Sequence, residues 1–117
     1  MAITEPYTGT KLVDTTEWSL TTNTSYDTGD AQTADGTYQV FLDLSDMVAG
    51  DQLQIRIYEK CRTGDTQQIC YEAIPVGVQS QKLWASPALI LINGWDVTCD
   101  TLAGASITVL WSIRQVA

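Results

Sequence analysis

Asp51-Gln52-Leu53-Gln54-Ile55-Arg56-Ile57-Tyr58-Glu59-Lys60-Cys61-Arg62, followed by Thr63-Gly64-Asp65 and then Thr66 to Val76, is the stretch on which the fold turns. Successive side chains of a strand point to opposite faces. Leu53, Ile55 and Ile57 therefore share one face, and Gln54, Arg56 and Lys60 the other, which is the signature of a half-buried strand. Thr63-Gly64-Asp65 reads as a tight turn and Thr66 to Val76 as the returning hairpin partner. A three-residue loop sets Ile57 opposite Tyr71 and Arg56 opposite Glu72. The second pair is a cross-strand charge pair worth roughly 0.2–1 kcal/mol. In this register Cys61 and Cys70 fall on opposite faces, so no disulfide joins them.

Immediately upstream, Thr37 to Leu44 alternates in the same way. Tyr38, Val40, Leu42 and Leu44 take one face, and Thr37, Gln39 and Asp43 the other. Phe41 interrupts the polar side, as a residue that packs on a neighbouring chain or loop would. Asp35-Gly36 is a turn signal ahead of this strand. Between the two strands, Ser45 to Gly50 reads as a single helical turn, capped by Ser45 and ended by a left-handed Gly50. Further upstream, Leu12-Val13 and Trp18-Ser19-Leu20 suggest one strand over roughly residues 10–20, and Thr21 to Gly36 a long polar loop.

Downstream, Lys82 to Ile92 is apolar on both faces, the pattern of a strand buried on both sides. Pro87 cannot donate to a ladder and marks an edge, a bulge or a restart. Asn93-Gly94 is a two-residue hairpin signal that sets Ile92 opposite Trp95, Ile90 opposite Val97 and Ala88 opposite Cys99. Ala103-Gly104 supplies another turn. Ser106 to Val116 closes the chain with Ile107, Val109, Trp111 and Ile113 inward. These readings add up to an all-β chain of about seven to eight strands, an antiparallel β-sandwich that is jelly-roll-like. It forms a single domain overall: residues 1–20 as N-terminal arm and first strand, and 21–117 as the β-sandwich domain.

Composition agrees. The 117 residues suit one domain, which buries roughly 65% of the surface its unfolded chain exposes. Apolar residues make up 44% and charged residues 17%, a globular balance. Fourteen Asp and Glu against six Lys and Arg leave a net charge of −8. Residues 1–50 hold all but one unit of that excess, with Lys11 their one base. Such a surface offers no basic stripe to a phosphate backbone and none to anionic lipid, so neither nucleic acid nor membrane is an expected partner. Basic protein surfaces suit it. The longest apolar run, Ala88 to Ile92, is far too short to span a bilayer. No basic stretch with an apolar run opens the sequence, and synthesis in the cytosol is expected.

Catalytic groups are sparse. There is no histidine, so Ser-His-Asp and Cys-His arrangements cannot form, and Cys61, Cys70 and Cys99 do not have zinc-ligand spacing. A carboxylate pair can run glycosidic chemistry. Here, however, Asp27, Asp30, Asp35, Asp46, Asp51 and Asp65 sit at turns, where acids usually cap backbone. Asp27, Thr28, Gly29, Asp30 and Asp35 match no calcium-loop consensus. No enzyme activity, cofactor or metal is expected. Trp18, Trp84, Trp95 and Trp111 lie within alternating strands and read as core rather than as a sugar-stacking platform.

Several stretches carry a family resemblance. They are Tyr38-Gln39-Val40-Phe41-Leu42-Asp43-Leu44, Ala49-Gly50-Asp51, Arg56-Ile57-Tyr58-Glu59-Lys60 and Thr66-Gln67-Gln68 with Tyr71-Glu72. Ser86-Pro87-Ala88-Leu89-Ile90, Gly94-Trp95-Asp96-Val97-Thr98 and Trp111-Ser112-Ile113-Arg114 complete them. Together they resemble a family of small proteins from the structural gene regions of tailed bacteriophages and prophages. That resemblance implies a structural protein of the virion, and β-sandwich capsid decoration (cement) proteins are similar in size and architecture. It implies binding to the major capsid protein at the outer capsid surface, capsid stabilisation, self-association as a homo-oligomer (trimer or dimer), and a virion location after synthesis in the host cytoplasm. Asp14 and Glu17 are then candidates to meet basic capsid residues, and Phe41, Ser86 and Pro87 to make subunit contacts. Family members often carry basic residues after the Trp95 to Thr98 stretch, where this chain has Cys99-Asp100. A tail, neck or head-to-tail connector protein is the alternative within virions. A surface adhesin or carbohydrate-binding module is the alternative of another class.

Overall fold

Alternation between residues 37 and 62 builds the centre of two sheets that face each other. The structure is a computed structural model and describes residues 2–27 and 32–116. Its strands are β1 (Ile3–Val13), β2 (Trp18–Ser19), β3 (Thr24–Ser25), β4 (Gly36–Asp43), β5 (Gln52–Glu59), β6 (Gln68–Ala73), β7 (Leu83–Ala85), β8 (Leu89–Leu91), β9 (Asp96–Ala103) and β10 (Ile107–Val116). One sheet runs β1-β10-β4, with β7 and β8 both on the far side of β4; the other runs β3-β2-β9-β5-β6. Every strand pairing is antiparallel.

The connectivity is that of a jelly roll. The chain pairs from its ends inward: β1 with β10, β2 with β9, β4 with β7 and β8, and β5 with β6. Rolling this long hairpin brings β10 onto β4 and β9 onto β5. Counting β7 and β8 as halves of one interrupted strand, and β3 as an extension of the β2 edge, leaves the eight strands of that architecture.

The expected inward faces are buried. Tyr38, Val40, Leu42 and Leu44, Leu53, Ile55 and Ile57, and Ile107, Val109, Trp111 and Ile113 all belong to one core between the sheets. Trp95 is fully buried there, Trp111 nearly so, and Trp18 and Trp84 pack against them half-buried. The β5–β6 register is as read from sequence, Ile57 opposite Tyr71 and Arg56 opposite Glu72. A bulge after Ile57 then shifts the next pairs, and the ladder ends at Glu59 opposite Gln68, so residues 60–67 make the connection in place of a three-residue loop.

Four further expectations are corrected. Residues 10–20 are not one strand: β1 ends at Val13, and the chain crosses sheets before β2. Ser45 to Gly50 is not helical. The Asp43 carboxylate accepts from the Ser45 amide (2.9 Å) and the Asp51 carboxylate from the Val48 amide (2.9 Å), making tight turns instead. Gly50 does take the left-handed conformation, with φ 93°.

The Asn93-Gly94 hairpin does not form: β8 lies on β4 and β9 lies between β2 and β5 in the other sheet. The Glu59 carboxylate accepts from the amides of Ile92 (2.7 Å) and Asn93 (3.2 Å), and Asn93 Nδ2 donates to the carbonyls of Lys60 and Cys61. Donors that a hairpin ladder would have used are thus satisfied by a side chain of β5 and the backbone after it. The turn becomes a corner between sheets. For the same reason Lys82 to Ile92 is not covered on both sides. β7 and β8 are a sheet edge, with Trp84, Leu89 and Leu91 inward and Leu83, Ile90 and Ile92 exposed.

Candidate functional site

With the inner faces consumed by the core, the outer faces hold what is left for function, and they are unlike. On the β1-β10-β4 sheet, register places Thr37, Gln39, Phe41 and Asp43 outward beside Val116, Arg114, Ser112 and Leu110. Ile3 stands opposite Val116, and Leu12 opposite Thr108. Beyond β4, Leu83 and Ala85 flank Asp43 and Phe41, and Ile90 flanks Thr37. Arg114 sits over the Phe41 ring, its Cζ 3.9 Å from the centroid, and reaches the Glu5 carboxylate at 4.0 Å. Glu5 also accepts a hydrogen bond from the Ser112 hydroxyl. Two recesses border the Phe41–Arg114 stack. One of about 230 Å³ has Ile3, Ala88 and Val116 in its wall, and one of about 150 Å³ has Leu83 and Leu110.

The outer face of the other sheet is polar and partly covered. Gln54, Arg56 and Tyr58 of β5 alternate outward next to Asp100, Thr98 and Asp96 of β9. The segment after β1 folds over them. Glu17 Oε2 accepts from the Tyr58 hydroxyl (2.6 Å) and the Thr98 hydroxyl (2.5 Å), and Arg56 lies 3.8 Å away. Arg56 also pairs with Glu72 at 2.8 Å. Asp96 is fully buried. Its Oδ1 accepts from the hydroxyls of Ser19 (2.8 Å) and Thr21 (2.6 Å) and from the Val97 amide. Tyr26 stacks on Tyr58 with centroids 4.7 Å apart and donates to Gln67. Burial, and then Glu17, push the hydroxyls of both tyrosines up to about 12. Carboxylates and hydroxyls here tie a crossing segment to a sheet.

Asp100 is the exception. It is 9% exposed, its Oδ1 has no hydrogen-bond partner, and burial and the Glu17 charge raise its pKa to about 6. Among the described residues no three Cys, Asp or Glu side chains converge as a metal site. Of the residues weighed as a calcium loop, Thr28, Gly29 and Asp30 lie outside the described residues. The three cysteines are free. Cys61 and Cys70 are exposed, and Cys99 is buried with its thiol pushed up by burial.

The five candidate interface residues separate. Phe41 lies in the middle of the outer face of the β1-β10-β4 sheet, among Gln39, Asp43, Ser112 and Arg114. Ser86 and Pro87 interrupt the edge beside it, but Ser86 is buried and its Oγ accepts from the Val40 amide (3.0 Å), while Pro87 is exposed. Asp14 and Glu17 belong to the crossing between sheets. Asp14 is exposed, its carboxylate capping the Thr16 amide (2.8 Å) and its carbonyl accepting from Thr101. Glu17 is half-buried and occupied by its own chain. Leu110, Arg114 and Ile90 were missed, although the outward parity of the last strand carries the first two. The half-buried or buried tryptophans leave a sugar platform without its exposed row. No family model, curated protein or solved structure matches the chain.

Proposed function

We propose that the chain is a structural protein of a tailed-phage virion that binds the outer surface of the assembled capsid and braces the shell. The observation that carries this reading is the pair of unlike outer surfaces on one jelly-roll sandwich. A shell-bracing subunit needs one surface for its neighbours and another for the major capsid protein, and jelly rolls recur in capsid domains. Acids crowd the first fifty residues, and Asp14, Asp35 and Asp46 are exposed among them. Complementary charge speeds docking onto a basic surface and rejects other acidic ones. Stabilisation follows by mass action: a ligand that binds the expanded shell and not its alternatives favours the shell.

The test is addition of purified chain to expanded, DNA-free capsids that lack it. The chain should co-sediment with shells at a fixed ratio to the capsid protein and raise their heat-rupture temperature. Asp14→Asn, whose side-chain oxygen still accepts from the Thr16 amide, should weaken binding without altering the melting of the free chain. Failure to co-sediment, or binding only to tail fractions, overturns the reading.

A further inference from the structure

The outer face of the β1-β10-β4 sheet and its β7/β8 edge gathers exposed large apolar side chains that the core does not need. Ile90 is 75% exposed, Ile3 69%, Leu83 58% and Leu110 48%. Ile3 and Ile90 stand at the Thr37 end of the face and Leu83 and Leu110 at the Asp43 end, with Phe41 between them, and exposed apolar side chains gathered on one face mark an interaction site. Charge narrows what can cover it. Of the charged residues on these strands, only Glu5, Asp43 and Arg114 take this face, and Glu5 and Arg114 pair with each other. The patch is close to neutral while the chain carries −8. A basic partner is drawn to the acids elsewhere, and an anionic surface is repelled everywhere. Two copies of an acidic chain repel least where their own charges cancel, which is here.

Size and shape agree. β1, β10 and β4, eight to eleven residues long, with the three-residue β7 and β8, at ~4.8 Å spacing and ~3.3 Å rise, present on the order of 550 Å² before side-chain relief is added. A stable association uses roughly 800 Å² per partner. The face also holds protrusions and recesses side by side. Ile90 and Leu83 project at the edge, and the recesses of about 230 and 150 Å³ flank the Phe41–Arg114 stack. A two-fold contact requires one patch to complement itself. The open edge of β1 is a poorer alternative, because a bulge between Thr4 and Tyr7, at Pro6, interrupts its ladder.

We infer that this face joins two copies of the chain, packed sheet on sheet about a two-fold axis, with Ile90 and Leu83 of each seated in the recesses beside Phe41 of the other. The inference deepens the proposed function by naming which surface meets a neighbouring copy, and it is read in free solution without shells, so its failure and a failure of shell binding are told apart.

Sedimentation equilibrium of the full chain tests it. The wild type should run at twice its 12.8 kDa mass. Ile90→Lys and Leu110→Lys should each raise the dimer dissociation constant at least about tenfold. Both positions are exposed in the single chain, so folding survives, as circular dichroism would verify. Ile69→Lys, exposed on the far edge of the other sheet, should leave the constant unchanged. Interfaces of standard size bind at micromolar strength or tighter. A wild type still monomeric at roughly 100 μM therefore overturns the inference. So does a trimer, or a dimer indifferent to both face substitutions. Shell binding lost in Ile90→Lys from a monomeric wild type would assign the face to the capsid instead.

Discussion

Replacing Asp100 by Asn removes one ionisable group from β9 with little change of shape. In the folded chain the carboxyl is 9% exposed and its Oδ1 lacks a hydrogen-bond partner. Burial acts first and Glu17 next, with Glu72 adding and Arg56 opposing, and together they raise the pKa from 3.8 to about 6. The folded state thus holds this proton more tightly than the unfolded state. Stability from the group is fully present below about pH 4 and is lost as pH rises through about 6. A shift of about two units at ~1.4 kcal/mol each makes the ionised form cost on the order of 2–3 kcal/mol above pH 6. Asn carries no such cost. Asp100→Asn should match the wild type near pH 4 and exceed it near pH 8, by roughly 8–12 °C in Tm at about 4 °C per kcal/mol. Urea and thermal unfolding at both pH values read the difference. No gain at the higher pH, or an equal gain at both, would refute ionisation as the cause. The same physics bears on docking: a basic partner side chain placed against Asp100 would lower its pKa and offset the cost.

Gly9 stands opposite Trp111, and a Cβ there would lie 2.4 Å from the indole, whose Nε1 is tied to the Leu20 carbonyl. Gly9→Ala should therefore cost about 1–3 kcal/mol in denaturant unfolding, and a neutral result would contradict the packing. Ser86→Ala leaves the Val40 amide buried without its acceptor and should cost a similar ~1–3 kcal/mol. Unchanged stability with weakened self-association would restore Ser86 as a contact residue. A double-mutant cycle on Arg56 and Glu72 should give a coupling below about 1 kcal/mol that shrinks with salt, since both side chains are partly solvated.

The inner faces were legible because a period of two is written into each strand separately. Thr37 to Leu44, Asp51 to Arg62 and Ser106 to Val116 needed no partner to show which side was apolar. Pairing across the sandwich was not legible in the same way. Asn93-Gly94 has the chemistry of a hairpin, yet Glu59 takes its amides and the free edge of β4 takes β8. Lys82 to Ile92 is apolar on both faces, but apolarity does not distinguish a strand between two layers from an edge strand with one bare side. Phe41 could be singled out as the one large apolar residue on a polar face. Asp96 could not, because its partners Ser19 and Thr21 come from a crossing segment far away in sequence, and neither could Asp100, whose raised pKa owes part to Glu17 on that segment.

Imaging of purified virions to a resolution that separates sheets tests the capsid-bracing role most directly. The expected result is sandwich density on the outside of the shell, the acidic crossing at Asp14 toward the capsid protein and the Phe41 face against a second copy. Density confined to the tail or neck, or shells bare of this chain, would contradict it.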